Sequence, residues 1–143
     1  MTETERQHAV YLLRHYHEGY EKLANIARRL TEIDVDLYNI NAFRTDREAL
    51  QGGVSGAEAR LDKLIDDKTH LQQNQRRITE DLTATERALQ TMRTFDAEVL
   101  TRYYCFNLPY EIIATQYNYS VRSIRRIKHR ALSTFSDIVH GNP

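Results

Sequence analysis

Apolar and aromatic residues recur at steps of three and four along the first part of this chain, at Leu13, Tyr16, Tyr20, Leu23, Ala27, Leu30, Ile33, Leu37 and Ile40. That spacing holds them on one helical face. It predicts one helix over roughly 5–40, opened by a capping box at Thr2 and Glu5. The stripe slips near Leu30–Ile33 and fades around Asn39 and Asn41. Residues 41–57 then read as a connector, because Gly52, Gly53 and Gly56 break regularity. A short helix at Arg47–Gln51 fits inside it, and a loop of this length suits a contact role.

A second capping box, Ser55 with Glu58, opens the clearest heptad. Positions 61, 64, 68, 71, 75, 78, 82, 85, 89 and 92 hold Leu, Leu, Lys, Leu, Gln, Ile, Leu, Thr, Leu and Met. The pattern predicts a helix of about 36 residues, roughly 54 Å long. Lys68, Gln75 and Thr85 are polar seam residues, which weaken a coiled coil while fixing its register. Two helices of matched length and one connector predict an antiparallel hairpin. A hairpin buries only one seam, so it is also expected to dimerise.

Beyond residue 93 the rhythm shortens. Thr94 or Asp96 can cap a helix over Asp96–Phe106, with Val99, Leu100 and Tyr103 apolar and Asn107 as its C-terminal cap. Pro109 suits the first position of a helix over 109–117, which offers Ile112, Ile113, Ala114 and Tyr117 for burial. Asn118 sits where a tight turn needs positive φ. Ser120 is an N-cap for Val121–Phe135. Helix, short turn and capped helix make a helix-turn-helix, whose second member enters the major groove.

A helical projection of that last helix turns Val121, Ile124, Ile127, Ala131 and Phe135 inward. Arg122, Arg126, His129 and Ser133 point away, flanked by Ser123, Arg125 and Arg130. Arg122, Ser123 and Arg126 are the expected base readers, since Arg pairs bidentately with guanine. Arg125, His129 and Arg130 are expected on phosphates, and Lys128 falls near the buried face, where it can snorkel. The five tyrosines from Tyr103 to Tyr119 fall at packing positions; Tyr119, ahead of the N-cap, could also reach a phosphate.

Charge sharpens this picture. The 143 residues balance at 20 basic and 20 acidic. Residues 1–95 hold 14 basic and 16 acidic, whereas 96–143 hold 6 and 4. From Ile112 to Ser136 there is no acid and five fixed cations, Arg122, Arg125, Arg126, Lys128 and Arg130. A local cation excess inside a neutral chain points to one nucleic-acid surface.

The stretch Phe95 to Phe135 resembles the region-four helix-turn-helix of bacterial sigma factors. The residues that carry the likeness are Glu98-Val99-Leu100, Tyr104, Leu108, Tyr110-Glu111, Ile113-Ala114, Ser120-Val121 and His129-Arg130-Ala131. With a helical part ahead of such a module, the chain looks similar to phage late-gene regulators of the ArpU and RinA type. Asn118 stands where those modules usually carry a turn Gly, and Ile127 and Lys128 exchange the familiar cation and apolar residue. The resemblance implies promoter binding and control of phage or prophage genes.

Other chemistry is sparse. Cys105 is alone and expected as a buried small hydrophobe. The six His show no pairing with Cys or carboxylates at ligand spacing, and no phosphate-binding loop, dinucleotide fingerprint or nucleophile elbow occurs. No enzyme activity, metal or cofactor is expected. No apolar run approaches a membrane span and the start is no signal peptide, so the bacterial cytoplasm is the expected compartment.

The expectation is an all-α protein with a long, coiled-coil-like antiparallel hairpin at 1–93 for dimerisation or partner binding. The sigma-region-four-like helix-turn-helix follows at 94–137, and a tail at 138–143. The contact set on double-stranded DNA is Ser120, Arg122, Ser123, Arg125, Arg126, His129 and Arg130. RNA polymerase is a second expected partner, and a homodimer or higher oligomer forms through 1–93. Two alternatives are the DNA-recognition small subunit of a phage packaging terminase and a polymerase-binding regulator.

Overall fold

The computed structural model describes residues 1–51 and 55–143, the side chains of 44–51 and 55 excepted. Every regular element among them is helical: α1 (Glu3–Arg14), α2 (Tyr16–Gln51), α3 (Ser55–Thr91), α4 (Thr94–Leu100), α5 (Tyr110–Tyr117) and α6 (Val121–His140). A π-helical segment, Thr101–Cys105, continues α4.

Thr2 caps α1, its Oγ1 accepting from the Glu5 N–H at 3.1 Å. The Glu5 carboxylate instead accepts from Asn142 Nδ2 at 2.8 Å. The single helix expected over 5–40 is divided at His15 (φ −97°, ψ 6°), whose Nδ1 donates to the Tyr11 carbonyl at 2.8 Å. The reason is tertiary: α1 sets Ala9, Leu12 and Leu13 into a core with Ala88, Met92, Leu100, Tyr104, Ala131, Leu132 and Phe135. Full burial of a Leu or Phe stabilises by about 1.5–3 kcal/mol. A second cluster gathers Val99, Ile113, Ala114, Ile124 and Ile127.

Both clusters belong to a compact unit made of Met1–Tyr20 and Glu80–Pro143; Glu21–Thr79 form another. Helix α1 shares its core with α6. Helix α6 runs to His140, and Ile138 and Val139 pack on the first cluster.

The expected connector at 41–57 is helical up to Gln51 and from Ser55 onward, with 52–54 outside the described residues. The Ser55 cap also lies outside the described side chains. In the first unit, Tyr16 donates to Glu86 at 3.1 Å, and a Cβ on buried Gly19 would stand 2.7 Å from Leu82 Cδ2. In the second, Lys68 pairs with Asp34 at 2.9 Å, and Ile33 and Ile40 are buried.

Helix α4 begins at Thr94 without a side-chain cap. The expected cap Asp96 is buried inside the helix instead, held by Arg130. Asn107 has φ 55°, matching its expected place after the helix, and Pro109 is the N-cap of α5 rather than its first residue.

Candidate nucleic-acid interface

Helix α5 is short and anchored by Ile113 and Ala114, both buried. It ends at Asn118, in the left-handed region at φ 57° and ψ 40°. There Tyr119 N–H donates to the Ala114 carbonyl at 3.0 Å and Asn118 N–H to that of Thr115 at 3.4 Å. This pair of bonds closes the last turn of a helix and fixes the exit direction of the chain. Asn tolerates the conformation because its short polar side chain offsets part of the Cβ cost.

Ser120 then opens α6. Its Oγ accepts from the Ser123 N–H at 3.1 Å and donates to Ser123 Oγ at 2.9 Å. Both serines are thereby tied to each other, and Ser123 keeps a hydroxyl proton to give outward. Ile124, Ile127, Ala131 and Phe135 are buried as the projection expected.

The cations divide into three kinds. Arg122 and Arg126 are exposed, with no ion-pair or hydrogen-bond partner among the described residues. Arg125 is exposed but lies over the Tyr110 ring at 5.2 Å. Arg130 donates to Asp96 Oδ1 at 3.2 Å, so it is not free for phosphate as expected without first giving up that partner. His129 is exposed on the same face. Partial burial, then Lys128, Arg125 and Arg6, hold its pKa below the ordinary value.

Lys128 is buried to 6 % exposure. Its ammonium lies 5.0 Å from the Tyr103 ring centroid and 5.7 Å from those of Tyr104 and Tyr110. Tyr103 and Tyr110 stack at 4.7 Å, and burial raises the Tyr104 phenol against the opposing pull of Lys128. Four of the five tyrosines pack at least partly inside; Tyr119 is half exposed and meets Phe95 edge-on at 5.3 Å.

Beside the first turns of α6 lies an open groove of about 390 Å³, lined by Arg93, Phe95, Asp96, Tyr119, Ser123, Arg126, Ile127 and Arg130. Arg93 is the cation that sequence reading missed. It precedes α4, far from the basic run, and only packing of α4 on α6 brings it there. Its position between two helices was the one available signal.

No known protein family matches this chain, and neither does any curated protein or solved structure. Among the described residues no cluster of three or more His, Cys, Asp or Glu could hold a metal ion, and no helix is long and apolar enough to cross a membrane.

Proposed function

We propose that α5, the Asn118 turn and α6 form a helix-turn-helix of the sigma-region-four kind, and that the protein regulates phage or prophage transcription by binding promoter DNA. The observation that carries this is the pair Arg122 and Arg126. They stand one turn apart near the N-terminus of α6, exposed and without an acidic partner among the described residues. Arginines so placed can follow the major groove and read guanine. Arg125, His129 and, once released from Asp96, Arg130 neutralise phosphates alongside. Arg93 extends that set from outside the motif.

The long helices supply the second half of the reading. Within one unit Tyr16 meets Glu86 and Gly19 meets Leu82, and within the other Asp34 meets Lys68; each set of contacts supports the reading of an antiparallel hairpin. Val35, Tyr38 and Ile65 remain exposed on the Glu21–Thr79 unit, which is apolar surface a second copy can cover. One module with few free cations binds DNA weakly, because affinity grows with the number of phosphates neutralised. Dimerisation, or contact with RNA polymerase, compensates for this.

The test is salt-dependent binding to random DNA and to fragments of the protein's own genome. Wild type is expected to prefer a promoter fragment, and Arg122→Ala with Arg126→Ala to lose the preference. Each phosphate contact removed lowers the salt slope by about 0.9. A preference for a packaging start site would instead favour a terminase small subunit. Binding that is equal on all DNA and untouched by the substitutions would sink groove reading.

A further inference from the structure

A second groove, of about 560 Å³, opens on the compact unit between α1, the π-helical segment and α6. It is lined by Arg6, Gln7, Val10, Tyr11, Arg14, His15, Tyr103, Tyr104 and Lys128. Nothing in DNA reading uses it. Its volume lies within the range of small-ligand sites, and its lining combines cations with flat rings and contains no carboxylate.

Lys128 is the reason to take it as a site. An ammonium this buried ordinarily has a counter-ion, since an unpaired buried charge is costly. Here no carboxylate pairs with it among the described residues; three tyrosine rings surround it, and Tyr103, Tyr104 and the ammonium all border the groove. Those rings and a hydrogen bond with the Tyr104 phenol hold the ammonium but supply no negative charge. Arg14 adds a second charge, its guanidinium 5.8 Å from the Tyr104 ring centroid. Arg6 adds a third, already shared with Glu3 at 2.7 Å.

The backbone gives an independent sign. The two tyrosines sit in the π-helical segment Thr101–Cys105, closed by the Phe106 N–H to the Thr101 carbonyl at 3.0 Å. Such segments cost stability and occur disproportionately at functional sites, where they re-aim side chains. Across the groove, Tyr11 and His15 stack with ring centroids 4.1 Å apart, giving a second flat surface, and Tyr11 is 46 % exposed.

We propose that this groove binds a nucleoside phosphate, with Lys128 and Arg14 holding the phosphate and the exposed Tyr11 ring taking the base. Charge-assisted bonds to phosphate give the ammonium the counter-charge that no carboxylate among the described residues supplies, and base–aromatic stacking is indifferent to base identity. Lys128 follows Arg125 on α6, and Tyr103 stacks on the Tyr110 ring that Arg125 covers. Occupancy is therefore felt at the exposed face of that helix.

The chain has nine Tyr and no Trp, so tyrosine fluorescence and calorimetry can follow titration of the full-length protein with ATP, adenosine and inorganic tripolyphosphate. ATP is expected to bind more tightly than either fragment. Lys128→Met and, separately, the exposed-site variant Arg14→Ala should each weaken it by about tenfold or more, with thermal melting showing that each variant folds. Arg122→Ala with Arg126→Ala should leave ATP binding intact. Three results overturn the proposal: no ATP binding by wild type, equal binding of tripolyphosphate and ATP, or loss in the Arg122/Arg126 variant with retention in Arg14→Ala. The last would place the anion on the opposite face of α6. Failure of DNA binding alone leaves this site standing.

Discussion

Asp96 and Arg130 form an ion pair at 3.2 Å in which the carboxylate side chain is only 10 % exposed while the arginine side chain is 57 % exposed. The acid is fixed by burial and the base is free to leave. An intramolecular carboxylate thus occupies a cation that points toward the groove beside Arg126 and Arg93. On the proposed reading, DNA phosphate would have to displace Asp96 from this guanidinium.

Replacing Asp96 with Asn removes the competitor but keeps a polar atom. Partly exposed ion pairs contribute about 0.2–1 kcal/mol, so thermal melting should show a small loss. Binding to random DNA should tighten, with a steeper salt dependence. Unchanged DNA affinity would show that Arg130 takes no part in binding.

Asn118 allows a cleaner test of the turn. Its φ of 57° suits Gly as well as Asn, whereas a β-branched residue there costs about 1–2 kcal/mol. Asn118→Gly should melt near wild type and Asn118→Val clearly lower. DNA affinity should fall more for Val, since the turn aims α6.

Gly19 sets how closely α2 and α3 approach. An added Cβ meets Leu82 Cδ2 at 2.7 Å, Cγ at 3.1 Å and Cδ1 at 3.2 Å. Gly→Ala in a helix gains about 1 kcal/mol of propensity, while overpacking costs about 1–3. The clash should win, and Gly19→Ala should destabilise by about 1 kcal/mol. In a double-mutant cycle Leu82→Ala should rescue it. A variant more stable by the full propensity gain would mean the helices do not meet there.

Alkali should loosen the fold through two partly buried acids. Burial pushes the Cys105 thiol from 9.0 up to about 11, with Sγ donating to the Leu13 carbonyl at 3.1 Å. Burial first, and then the hydrogen bond to Glu86, push the Tyr16 phenol from 10.0 to about 12. Both hold their protons more tightly folded than unfolded. Stability from them is complete below the ordinary values and falls as pH rises through the folded ones, so the loss spans about pH 9–12. Denaturant melts across that range check it, and Cys105→Ala with Tyr16→Phe should flatten the profile. The same burial makes the thiol slow toward alkylating reagents at neutral pH.

Local chemistry was legible wherever a residue acts on its neighbours. Thr2, Asn118 and Ser120 do in the structure what their side chains alone dictate. None of the ten heptad positions, nine on α3 and Met92 just beyond it, is fully exposed, and Leu82, Thr85 and Met92 are buried. What periodicity missed is tertiary. Nothing near His15 breaks a helix by itself; the break follows from where α1 finds its core. Asp96 looks like a cap because acids ordinarily start helices, and only the distant Arg130 explains its burial. Tyr20 and Ala27 lie on the expected stripe of α2 yet are exposed, while Ile26 is partly covered. The all-helical class was readable; the residues that share a surface required packing.

The π-helical segment Thr101–Cys105 can also be viewed as an α-helix that has accepted one residue too many. An α-helix advances about 100° per residue, so everything after the extra residue is out of phase with α4 by that amount. Val99 and Leu100 face the cores, and the phase slip lets Tyr104 reach Leu13 and Lys128 as well. Deleting Thr101 should restore a regular ladder and swing Tyr103 and Tyr104 away from that groove. The chain has traded a smoother helix for the angle at which two phenols are aimed.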